Sequence, residues 1–136
     1  MTKLRQRISH DEGFTLIELL IVIVIIGILL AIAVPSYLGF KDRANKRAAQ
    51  SDLRESIPTA EAYYSDKGSY TSLTVTAMKG IDSGLSDKVK VKAASKSGYC
   101  LNATVGGQAW AVHGPGATWF QSSACLSTAS AVSVNS

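Results

Sequence analysis

Glu18 is the only residue charged at neutral pH between Phe14 and Phe40. Read as a helix, 14–40 is long enough to span a hydrocarbon core, which needs about 20 apolar residues. A carboxylate near the end of such a helix wants a cation. No side chain in the run supplies one. Cutting the peptide bond after Gly13 would, because it creates the α-amino group of Phe14. Four residues apart on one helix, that amine and the Glu18 carboxylate can face each other across a turn.

The rest of the chain offers little for catalysis. Histidine occurs only at His10 and His113, so neither a metal triad nor a Ser-His-Asp arrangement has much to build on. His113 stands beside Gly114-Pro115-Gly116 and is read as a turn residue. The glycines at 106, 107, 114 and 116 lack the Gly-Lys-Ser/Thr ending of a phosphate loop and suit turns. No catalytic residue, metal ligand or cofactor is expected. Lys88, Lys90, Lys92 and Lys96 admit a nucleic-acid partner, since a row of like charges can bind phosphates. No aromatic residue interleaves the row to stack bases, and the solvated face of a strand is the simpler explanation.

A basic leader with Lys3, Arg5 and Arg7, then Gly13, then Phe14-Thr15-Leu16-Ile17-Glu18-Leu19-Leu20-Ile21-Val22, resembles the class III signal of type IV pilins and of the pseudopilins of type II secretion. The resemblance covers residues 10 to 40 or so. It implies that a prepilin peptidase cuts between Gly13 and Phe14 and leaves N-methylphenylalanine at Phe14. It also implies that Glu18, with Phe14, helps subunits join a homo-oligomeric helical filament, driven by an assembly platform and a motor ATPase. Gly27 and Pro35 match the positions between which pilin helices lose regular structure in filaments. The implied course is single-pass in the cytoplasmic membrane with an exported head, then an extracellular pilus. A pseudopilin or minor pilin of a secretion or DNA-uptake system is the alternative within the family. A membrane-tethered extracellular binding protein is the alternative outside it. An ordinary secretory signal, cut after Ala31-Ile32-Ala33, has against it Glu18 early in the apolar run and the run's continuation through Pro35, Tyr37, Leu38 and Phe40.

The elements that must position these residues follow from pattern. Residues 1–13 are polar, without apolar periodicity, and read as a leader that is removed. Residues 14–66 read as one long helix, apolar all round over 14–40 and amphipathic over 41–66. Leu53, Ile57, Ala60 and Tyr64 form its apolar stripe. Gly27, Pro35 and Pro58 weaken its continuity, and Gly68 suits a left-handed cap. Arg43, Lys46 and Arg47, with Lys41, form a membrane-proximal basic collar. With cations on both sides of the apolar run, the Lys and Arg count does not predict an exported head. The cysteines and the family resemblance argue for one.

Residues 67–136 read as a small globular β head, making the fold α+β: a long N-terminal helix packed against a small antiparallel sheet. After loop and a helical turn over 75–81, strands are expected from Val89, over 99–105, over 110–113 and over 118–121, with an edge strand or frayed tail from Ser127. About 70 residues make a marginal core. Cys100 and Cys125 fit the need for a staple, as a disulfide if the head is exported, or as buried free thiols otherwise. The net charge of +4 includes one positive charge from the leader, where three cations face Asp11 and Glu12; the remaining +3 names no partner.

Overall fold

The computed structural model describes residues 13–125, and the leader before Gly13 and the tail from Ser127 lie outside them. The chain forms two units that divide between Gly39 and Phe40. One helix, α1 (Leu16–Lys67), contributes to both.

In the first unit α1 is long and apolar enough to cross a membrane, and none of its apolar stretch is buried in the chain itself. Large side chains from Leu16 to Leu38 are all exposed. The helix continues without interruption through Gly27 and Pro35, so the expected break is not a feature of the subunit alone. The Ser36 hydroxyl donates to the Ile32 carbonyl at 3.3 Å, one of the local bonds a helix uses next to a proline.

The second unit is an α+β head. The remaining turns of α1 are followed by α2 (Val75–Ile81), β1 (Val89–Ala94), β2 (Tyr99–Val105), β3 (Gln108–Gly114) and β4 (Thr118–Phe120). The strands form one antiparallel meander in the order β1-β2-β3-β4. Gly68 ends α1 at φ +68°, its N–H bonded to the Tyr64 carbonyl at 2.7 Å. Thr74 caps α2 through its hydroxyl, which accepts from the Ala77 N–H at 3.1 Å.

The buried stripe of α1 is Ala49, Leu53, Ser56, Thr59, Ala60 and Tyr63. This corrects the expected stripe: Tyr63 is buried at 8% exposure, Tyr64 stands out at 40%, and Ile57 lies at the edge. Ser56 and Thr59 are the reason. Both are polar and invisible to an apolar pattern, yet both sit at the centre of the buried face. Ser56 is satisfied there because its hydroxyl donates to the Leu53 carbonyl at 2.7 Å.

Alternation along the strands divides the sheet into two faces. Val89, Tyr99, Leu101, Ala103, Trp110 and Val112 join the α1 stripe in one core. Cys100, Ala111 and Phe120 form a small cluster on the other face, with Cys125 against it. The β2–β3 hairpin closes through Gly106 and Gly107, both at positive φ, as a two-residue loop of type I′ requires. A side chain at Gly106 would strike Asn45 of α1, and one at Gly114 would strike the ring of Tyr99.

Candidate functional site

The N-terminal site begins one residue after Gly13. Phe14 is 92% exposed, and Thr15 caps α1. The Thr15 N–H and hydroxyl both donate to one Glu18 carboxylate oxygen, at 2.8 and 2.7 Å, and the Glu18 N–H donates back to the Thr15 hydroxyl at 3.3 Å. This is a reciprocal capping box: each residue satisfies a polar group that the first turn of a helix leaves without a backbone partner. In the uncut chain, then, the partner of Glu18 is Thr15. Sequence reasoning missed this, although Thr-x-x-Glu before an apolar run is the signature of the motif.

The arrangement places a carboxylate at the positive end of the helix, where the macrodipole favours it. Its hydrogen bonds come from a hydroxyl and an amide, both neutral. The group is held in place while its charge stays uncompensated, so it remains available to a cation. Gly13 and Gly27 show a related openness, since a side chain at either position would meet nothing within the chain. Neither glycine is demanded by the subunit's own packing.

In the head, Cys100 of β2 and Cys125 after β4 are joined in a disulfide across 25 residues of sequence. The bond ties the segment after the last strand to the face of the sheet away from α1. His113 lies within β3, opposite Cys100, rather than in the turn that follows. Of the lysine row, Lys90 and Lys92 project from β1 and are exposed, Lys88 precedes the strand, and the register shifts between Val91 and Ala93.

A partly buried polar junction ties the sheet and the loop after α1 to that helix. Glu61 of α1 accepts from the Tyr70 hydroxyl at 2.7 Å and from the Tyr99 hydroxyl at 2.9 Å. Burial, then the Glu61 carboxylate, pushes the Tyr70 phenol up to about 12 and drives the Tyr99 phenol above its ordinary value. The rings of Tyr64, Tyr70 and Tyr99 meet in sequence with centroids 4.6 and 4.8 Å apart, the first pair tilted and the second edge to face. Partners separated by 38 residues leave no local signal, so this junction could not be found from periodicity.

Residues 8–34 match the prokaryotic N-terminal methylation motif. Over 82% of its length the chain is 35% identical to the type IV wide pilus major component PilA4 of Thermus thermophilus, and it covers 80% of that protein. It is 41% identical over 62 residues to the type IV major pilin protein PilA of Myxococcus xanthus, and 36% identical over 75 residues to the type II secretion system core protein G of Escherichia coli. It covers 28% and 49% of those two proteins, less than half of each.

Proposed function

The chain belongs to the family of type IV pilins and type II secretion pseudopilins, whose members are filament subunits, and on that premise we propose that it is the major subunit of a type IV pilus. The observation that carries this choice is reach. The similarity to the Thermus wide pilus component extends over the helix and the head, whereas that to the secretion protein covers 55% of the chain.

In the proposed course the subunit waits in the cytoplasmic membrane with its head exported. A prepilin peptidase hydrolyses the Gly13–Phe14 bond, and the new amine receives one methyl group. A secondary amine remains protonated at neutral pH, so Phe14 keeps its positive charge. Glu18, held by Thr15 until then, exchanges these neutral donors for a charge-assisted contact with the Phe14 amine of a neighbouring subunit. An axially offset copy is thereby drawn to the register in which no charge is left alone in an apolar setting. Each subunit presents one surface to a different surface on the next, which is the geometry of an open fibre. Because apolar helices gain little by leaving lipid for one another, extraction calls for an external motor ATPase acting through an assembly platform. In the packed fibre, Gly27 and Pro35 are the points at which α1 can lose regular structure.

The pseudopilin reading is favoured by the relatives from secretion systems. Surface fibres purified from the source cells decide between the two. The expected result is that this chain is their bulk component, with a mature N-terminus at Phe14 carrying one N-methyl group. Its absence from the fibres removes the major-pilin reading. An intact Met1 terminus in assembled material removes the processing step, and a terminus at Val34 establishes a conventional signal instead.

A further inference from the structure

The face of the sheet that carries the disulfide also holds a groove of about 360 Å³, bordered by Lys90 and Lys92 of β1, by Lys88 just before it, and by Asn102 and Thr104 of β2. A volume of this order is that of a small-ligand site. Among the described residues that border it Asp87 is the only acid, and Asp87 is already engaged by Lys79. The three lysines have no ion-pair partner among the described residues. The groove therefore presents an excess of positive charge.

Its floor supplies the second observation. Asn102 is only 5% exposed, borders the groove, and has a carboxamide oxygen that accepts no hydrogen bond from any described residue. A buried polar group with unused capacity calls for an explanation. A ligand that suits both features carries negative charge for the lysines and hydroxyl groups for the amide, since a hydroxyl can both donate and accept. A DNA backbone has no donor to offer, and among the described residues no aromatic side chain borders the groove to stack a base. The length of the row adds a size. Alternate residues on a strand lie about 7 Å apart, so Lys88 to Lys92 spans roughly 13 Å, more than one sugar ring.

We propose that this groove binds an acidic polysaccharide, with Lys88, Lys90 and Lys92 taking the carboxylates of successive uronic acid units and Asn102 and Thr104 taking ring hydroxyls. Binding is ionic at its edges and weakens with salt. It does not depend on which branch of the family the chain serves, because the groove lies wholly within the head.

The test is calorimetric titration of the full chain in detergent micelles with the trimer of galacturonic acid. Neutral maltotriose, tripolyphosphate and a dT oligonucleotide serve as comparisons. Saturable binding of the acidic trimer is expected, with maltotriose silent and tripolyphosphate weaker. The double variant Lys90→Gln, Lys92→Gln, whose side chains are exposed and outside the core, should lose at least tenfold in affinity. Asn102→Ser should weaken the trimer at least threefold while leaving tripolyphosphate unchanged. No saturable binding of the trimer overturns the proposal, and so does an undiminished affinity in the lysine variant. Equal or tighter binding of tripolyphosphate or the oligonucleotide overturns it too, by reducing the groove to a general anion or nucleic-acid surface.

Discussion

The two units of this chain answer to different neighbours, and the burial of their side chains shows it. In the head, Gly106 takes a left-handed conformation against Asn45, and Gly114 lies under the ring of Tyr99, so a side chain at either would collide. In the apolar unit, Gly13 and Gly27 face open space, as Gly68, Gly80, Gly107 and Gly116 of the head also do; what sets the head apart is that some of its glycines are demanded by packing. The head's sequence is constrained by the head's own packing. The apolar unit buries none of its large side chains in the chain, and Glu18 is held only by its helical neighbour Thr15. What constrains that unit must lie outside the subunit, in lipid, in a processing enzyme or in other copies.

The comparison breaks most readily at Glu18. If that carboxylate answers to other subunits, Glu18→Ala should leave cleavage after Gly13 intact and reduce fibre yield by at least tenfold, read by electron microscopy and mass analysis. Normal yield with confirmed cleavage would show that the group does not direct assembly. Thr15→Ala should be much milder, since it removes only the contact that precedes assembly.

Within the head, Cys100→Ser with Cys125→Ser should destabilise by about 3 to 4 kcal/mol, the chain-entropy value for a loop of 25 residues. That corresponds to roughly 10 to 30 °C in the melting of so small a domain, followed by near-ultraviolet circular dichroism. A shift of only a few degrees would mean that the sheet face is held by packing and not by the bond. Gly106→Ala should cost about 1 to 3 kcal/mol, the range for placing an ordinary residue in left-handed backbone. Gly27→Ala, measured the same way, should leave the head's melting unchanged. Similar losses in both would dissolve the contrast between the two units.

The smallest effect is alkaline. Tyr70 and Tyr99 ionise less readily in the folded head than in the unfolded chain, so their contribution is complete below pH 10 and is lost as pH rises through the folded values, about 12 for Tyr70. Tyr99→Phe should shrink this loss while costing a little stability at neutral pH. The check is the unfolding midpoint in denaturant at pH 8 and pH 10.5. An unchanged difference between the two pH values would remove the Glu61 junction as its source.

What could be read from the sequence was whatever is local. The apolar run, the Gly68 cap, the 75–81 helix and the 99–105 strand each announce themselves through period or turn chemistry, and the structure places them there. The α1 stripe was displaced because Ser56 and Thr59 are buried polar residues, which an apolar pattern cannot count. The Glu61 junction and the clash at Asn45 depend on partners far apart in sequence, and no spacing encodes them. The Thr15 cap, by contrast, is local and is encoded in the Thr-x-x-Glu spacing ahead of the apolar run.

The strand order has a consequence for how quickly the head can form. Because β1, β2, β3 and β4 neighbour one another in the order in which they are made, their ladders close across 95–98, 106–107 and 115–117. Sheets whose pairings are sequential have low contact order, and chains of low contact order fold fast, since little loop entropy is lost before contacts form. The sheet can assemble hairpin by hairpin from its own short range, needing α1 only to cover one face. In the proposed pilus, a head whose pairings are all local would be able to finish folding without waiting for its neighbours, so that a fibre would grow from finished parts.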